Sequence, residues 1–141
     1  MIVLDTNVFS ELIRTVPNPT VYSWFHQQRT GDRYITAVSL AEMMSGIILM
    51  PVGRKREALQ SAASSLLSSF ESHVIAFDEH AAMLYGEVLA ARKVAGRPID
   101  TPDAMIAAIC RQHGAKLATR NTKDFLHTGV DLIDPWEDIH D

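Results

Sequence analysis

Apolar and polar positions follow one another along the chain in blocks that read as strand, then helix, repeatedly. Ile2 to Leu4 form an apolar run of strand length that ends on Asp5-Thr6-Asn7, and Val8 to Ile13 keep helical spacing up to the break at Pro17-Asn18-Pro19. Val21, Trp24 and Phe25 recur at helical intervals after Pro19, and the turn Arg29-Thr30-Gly31-Asp32 closes that segment. A second strand is expected over Arg33 to Thr36, followed by an amphipathic helix from Val38 to Leu49. Beyond Pro51-Val52-Gly53, the positions of Leu59, Ala63, Leu66, Leu67 and Phe70 mark a helix with a serine-rich outer face. His73 to Phe77 read as a third strand, and Asp78-Glu79 as the start of a helix that continues to Ala95, with Ala82, Tyr85, Val88 and Leu89 facing inward. Thr101-Pro102-Asp103 then reads as a helix entry, with Thr101 capping, Pro102 in the first helical position and Asp103 in the first turn. The helix it opens is apolar nearly all round and ends at His113-Gly114, so it is expected to be buried. Lys116 to Ala118 make a fourth strand, Thr122 to Phe125 a helical turn, and Val130 to Ile133 a last strand before Pro135-Trp136 and an acidic tail.

Strands alternating with helices predict an α/β fold: a short, mostly parallel sheet flanked by helices on both faces, in three layers. At 141 residues, with no internal repeat, the chain is expected to be a single domain spanning 1–141, large enough to bury a core without staples.

Composition narrows the function classes. Hydrophobic residues make up 47% and charged residues 21%, which indicates neither disorder nor membrane residence. The net charge of -4, from 13 basic and 17 acidic side chains, argues against holding nucleic acid by a global positive field, so any such contact is local. The basic triplet Arg54-Lys55-Arg56 reads either as a phosphate-steering patch or as a solvated first helical turn, and Arg92, Lys93 and Arg97 fit a helix end as well as they fit RNA. Cys110 has no partner in the chain and lies in an apolar helical run, which suits a reducing compartment. Without a basic start followed by an apolar core, and without a span-length apolar stretch, the chain is expected to be cytoplasmic.

The candidate chemistry lies where apolar elements end in acids. Open α/β sheets bind ligands beyond the carboxyl ends of their strands, the position of Asp5; an Asp-Thr-Asn turn also caps helices, and both readings fit the spacing. Glu42 has Ser39, Ser45 and Gly46 on its helical face, none large or charged, so a ligand can approach it; it reads equally as a solvated helix glutamate. Asp103 is either a dipole partner or a metal ligand on a rigid element, and Thr119 to Asp124 again put polar groups beyond a strand end. Three carboxylates brought together repel by about 1 kcal/mol per pair at 4 Å in water and about 4 at an effective dielectric of 20, so they need a cation or a shared proton. Oxygen ligands suit Mg²⁺ or Mn²⁺ rather than zinc, and no histidines are paired at helical ligand spacing. No Gly-x-Ser-x-Gly elbow or glycine-rich phosphate loop is present. What remains is metal-assisted chemistry at a phosphodiester.

Asp5-Thr-Asn-Val-Phe-Ser-Glu11, Val38-Ser-Leu-Ala-Glu42, Gly96-Arg-Pro-Ile99, Asp103-Ala-Met-Ile-Ala-Ala108, His113-Gly114, Leu117-Ala-Thr-Arg-Asn121, Asp124-Phe125 and Pro135-Trp136 together resemble PIN-domain ribonucleases of the VapC toxin type, in the FitB-like branch. The resemblance runs over nearly the entire chain. It implies a Mg²⁺- or Mn²⁺-dependent endoribonuclease, the toxin of a toxin-antitoxin pair, dimeric and held by a small DNA-binding antitoxin. It places Asp5, Glu42 and Asp103 on the family's acidic positions, as metal ligands and catalytic residues, and Thr6 and Asn7 on its strand-end polar pair. Thr119, Asn121 and Asp124 become outer support, and Arg120 and Lys123 local contacts for RNA phosphates. Asn121 stands where some members of that family carry Asp; its amide offers an oxygen and no charge, so three carboxylates are expected to hold one ion, a second needing the substrate phosphate. Two other readings stand beside this one: a PIN-fold binding module that has lost cleavage at Asn121, and a Mg²⁺-dependent signalling receiver domain.

Overall fold

The structure, a computed structural model, describes residues 1–137, and the acidic tail beyond Glu137 lies outside them. The strands are β1 (Ile2–Leu4), β2 (Arg33–Thr36), β3 (Val74–Ile75), β4 (Lys116–Ala118) and β5 (Leu132–Ile133). The helices are α1 (Thr6–Leu12), α2 (Pro19–Gln27), α3 (Ala37–Ile48), α4 (Arg54–Ser68), α5 (Glu79–Val94) and α6 (Thr101–His113), with short 3₁₀ turns at Thr30–Asp32 and Thr122–Phe125. Every strand pairing among the described residues is parallel, in the order β3-β2-β1-β4-β5.

Strand alternation divides the core into two layers. Leu4, Ile35 and Ala118 turn to one face and pack with Val8, Phe9, Val21, Phe25, Met43, Ile47, Ala63 and Phe70 from the first four helices and the turn after them. Val3 and Leu117 turn to the other and meet Val88 of α5 and Ala104, Ile106, Ala107 and Cys110 of α6. On α6, Ala104 and the five consecutive residues Ile106, Ala107, Ala108, Ile109 and Cys110 are buried, as the all-round apolar pattern predicts.

The differences from expectation are local. The third strand is confined to Val74–Ile75, not His73 to Phe77: it pairs only with β2, and short edges discourage pairing with other chains. The last strand is Leu132–Ile133 rather than Val130 to Ile133. On α5 the inward alanine is Ala81, and Ala82 is exposed. The cap of α6 is Asp100 rather than Thr101, because the Asp100 carboxylate accepts the Asp103 N–H at 3.0 Å and shifts Thr101 and Pro102 each one place into the helix. A receiver domain is ruled out by topology, since that fold orders its sheet 2-1-3-4-5.

Register positions the site. Leu4 pairs with Ile35 on one side and with Ala118 on the other, so the next residues, Asp5, Thr36 and Thr119, stand level at the carboxyl edge. From β1 the chain steps outward through β2 to β3, then returns to place β4 on the other side of β1. The strand order therefore reverses between β1 and β4, where open α/β sheets form their ligand crevice.

Candidate active site at the strand-order reversal

Asp5 and Thr119 face each other across that reversal. The Asp5 N–H donates to the Ala118 carbonyl at 2.9 Å, extending the ladder by one bond, and the Thr119 hydroxyl donates to Asp5 Oδ2 at 2.8 Å. Oδ1 of the same carboxylate accepts the Thr6 N–H at 2.8 Å, so Asp5 caps α1 as well as facing the crevice; the two readings of this residue coexist. Asn7 Nδ2 lies 3.5 Å from Asp5 Oδ2 and 3.3 Å from Thr119 Oγ1, and Asn7 Oδ1 accepts the Arg120 N–H at 3.3 Å. The Asn121 N–H donates to Thr119 Oγ1 at 3.1 Å. These bonds tie the ends of β1 and β4 into one polar network.

Glu42 arrives from α3, whose first turn is fixed by the Thr36 hydroxyl accepting the Ser39 N–H. One helical turn on, Glu42 Oε1 accepts the Thr6 hydroxyl at 2.9 Å. Asp103 comes from the first turn of α6. Asp5, Thr6, Asn7, Glu42, Asp103, Arg120 and Asn121 all line one cleft of about 680 Å³. Thr119 lies buried beneath it and reaches it through Asp5. Asp124 and Lys123, on the 3₁₀ turn, are exposed and do not line the cleft, although the charge of Asp124 acts on both Asp5 and Asp103.

The electrostatics follow from burial and like charge. Asp5 is 5% exposed, and desolvation pushes its carboxyl above the ordinary range; the Thr119 and Thr6 bonds pull it back, and the charges of Glu42 and Asp124 push it further up. Asp103 is raised to about 7, first by burial, then by the charges of Asp100 and Asp5, a hydrogen bond with Asp100 and the charge of Asp124. No salt bridge among the described residues engages these acids: the only ion pair there joins Arg14 to Glu11, at 3.1 Å. Nor are any three His, Cys, Asp or Glu side chains among the described residues drawn into a closed ligand set, so the carboxylates act on one another across the cleft without forming a cage. Cys110 is fully buried, and burial raises its thiol far out of reach of ionisation, which removes a thiolate nucleophile from consideration.

A family model for the PIN domain matches residues 2–130. The chain belongs to the PIN-domain family. This PIN domain is 41% identical over 138 residues to the plasmid stability protein StbB of Pseudomonas syringae pv. tomato, with 97% of this chain and 99% of that protein covered. It is 38% identical, again over 97% and 99%, to a Sinorhizobium fredii protein named VapC ribonuclease Y4jK. Its fold superposes with a TM-score of 0.92 on a chain from the structure of FitAB bound to an IR36 DNA fragment, at 36% identity and with 99% of each chain covered.

Several residues with a part in this site were not visible as such in the sequence. Asp100 carries the signal of a good cap three residues before another acid, but the Thr-Pro pair that follows draws attention away from it. Glu11 lines the cleft with its carboxylate engaged by Arg14 and by the Asn18 N–H at 3.3 Å. Trp136 lines it from the far end of the chain, with the Arg120 guanidinium carbon 5.1 Å from its ring centre. Arg92, which reads as a cation at a helix end, is 5% exposed and donates to the Leu126 and Lys123 carbonyls at 2.7 and 3.3 Å, pinning the turn that carries Asp124.

Proposed function

We propose that this PIN domain is a divalent-metal-dependent endoribonuclease, the toxin of a type II toxin-antitoxin pair, working in the cytoplasm as a homodimer restrained by a small DNA-binding antitoxin. The observation that carries the reading is the set of carboxylates at the strand-order reversal that no salt bridge among the described residues engages, in a chain whose relatives include a named ribonuclease. Carboxylate, amide and hydroxyl oxygens in this cleft fit Mg²⁺ or Mn²⁺, and its lining offers no histidine or cysteine for zinc. Asp5 and Asp103 would hold the ion, and Glu42 would either join them or position the attacking water. When bound, the ion lowers the pKa of water and offsets charge on the phosphate.

The chain's own residues do the rest. Thr119, Thr6 and Asn7 hold the Asp5 oxygens in a fixed direction, as outer partners of metal-binding carboxylates do. Asn121 would support the rim, Asp124 would act on the acids through its charge from outside the cleft, and Arg120 and Lys123 would contact RNA phosphates. Hydrolysis forms a bond from the water oxygen to phosphorus and breaks one P–O bond to ribose; a carboxylate accepts the water proton, and the departing oxygen takes up a proton. The purified protein should cut structured or transfer RNA with Mg²⁺ or Mn²⁺, and Asp5→Asn and Asp103→Asn should each lower the rate at least about a hundredfold. Cleavage that persists unchanged in both variants would sink the assignment.

A further inference from the structure

The cleft is far larger than an ion needs. Six waters occupy about 180 Å³ of liquid volume, whereas about 680 Å³ is open here, within the roughly 300–1,000 Å³ typical of ligand-sized sites. One cation of the lining is unspent: Arg14 is committed to Glu11, and Arg120 forms no ion pair among the described residues. The Arg120 backbone is fixed next to the carboxylates through Asn7 Oδ1, while its exposed side chain lies over the Trp136 ring. Trp136 is itself half-buried against the core that holds Leu4 and Ala118, so the indole has a firm backing and its position follows that of the sheet. A guanidinium over an indole, beside several acids, gives a positively charged shelf in otherwise negative surroundings.

From this we propose that Arg120 and Trp136 form a nucleobase shelf, on which the base next to the scissile phosphate of an unpaired RNA segment stacks. The inference rests on the ribonuclease reading and adds where the substrate's base goes. Single-stranded RNA is recognised by stacking splayed bases on aromatic rings and on arginine planes, and every base has a face to offer. A phosphate neighbour alone would not need the indole. The shelf also explains how a chain of net charge -4 secures RNA locally, through one oriented arginine.

The test is a cycle between the protein and its substrate. The bond cut by wild type in an unpaired oligoribonucleotide is mapped first, and an abasic residue is then placed at each nucleotide flanking it. At one flanking position the abasic residue should raise KM about tenfold for wild type with little change in kcat, and should cost nothing further in Trp136→Ala, which already carries that loss. Trp136→Phe should restore most of the wild-type KM, and Arg120→Ala should show the same loss of coupling in case Trp136→Ala folds poorly. Penalties that add in full, with wild type still cleaving, would overturn the shelf. Should wild type cut nothing, the abasic residue is stepped through every position of the oligoribonucleotide and the cycle is read on Kd: coupling at one position supports the shelf, and additivity at all of them rejects it.

Discussion

At the scale of single residues, the site depends on side chains that hold other side chains. Thr119 is fully buried and donates to the more constrained oxygen of Asp5. Thr119→Val keeps the shape and removes the donor, so Mn²⁺ affinity by calorimetry and the cleavage rate should fall about 10–100-fold, with Thr119→Ser recovering most of both. Arg92 acts outside the cleft, on the turn that carries Asp124. Its two charge-assisted bonds to the Leu126 and Lys123 carbonyls are each worth about 1.5–3 kcal/mol when lost from a buried setting. Arg92→Met keeps the packed stem and should still lower stability in urea by about 2–4 kcal/mol.

At the scale of elements, caps and junctions decide where each carboxylate sits. Asp5 caps α1, Thr36 caps α3 and Asp100 caps α6, so helices bearing or adjoining Asp5, Glu42 and Asp103 all begin at hydrogen-bonded starts near the carboxyl edge. Asp78 does the same for α5 away from the site, accepting the Ala81 N–H at 3.0 Å and the Gln112 amide at 3.0 Å from α6. The Ala81 bond, then the Gln112 bond, hold its carboxyl below the ordinary 3.8. A carboxyl lowered in the folded state adds stability that is present above its unfolded value and is lost as pH falls through its folded one. Unfolding followed from pH 6 to pH 2 should therefore show less acid sensitivity below pH 4 in Asp78→Asn than in wild type; identical pH profiles would remove Asp78 from the acid response.

At the scale of the whole molecule, the fold gathers acids from three distant stretches and leaves their repulsion unrelieved. An ion that binds the folded chain alone should add stability that grows with the logarithm of its concentration above Kd, about 2.7 kcal/mol at a hundred times its Kd, or roughly 5–10 °C in Tm for a chain of this size. Calorimetric scans should show that rise for wild type with Mn²⁺ and little of it for Asp5→Asn. A rise of equal size in both would place the ion elsewhere.

Much of this was legible along the chain. Strand and helix periods gave every element in order, because period 2 and period 3.6 are local properties of the side-chain pattern; only ends moved, as at the short edge strand Val74–Ile75 and the cap passed from Thr101 to Asp100. Asp5 and Asp103 were visible as acids at element boundaries, Glu42 as an acid on an open helical face, and their motifs as a family pattern. What the chain could not express was distance between partners far apart in sequence. Thr119 meets Asp5 across 114 positions, Glu42 meets Thr6 across 36, and Trp136 meets Arg120 only because β1, β4 and β5 stand side by side. The sequence determined which residues would surface at strand ends, since burial of the apolar runs forces that. Only the tertiary structure decided which of those ends are neighbours, because strand order is set by how the two core layers pack on opposite faces of the sheet.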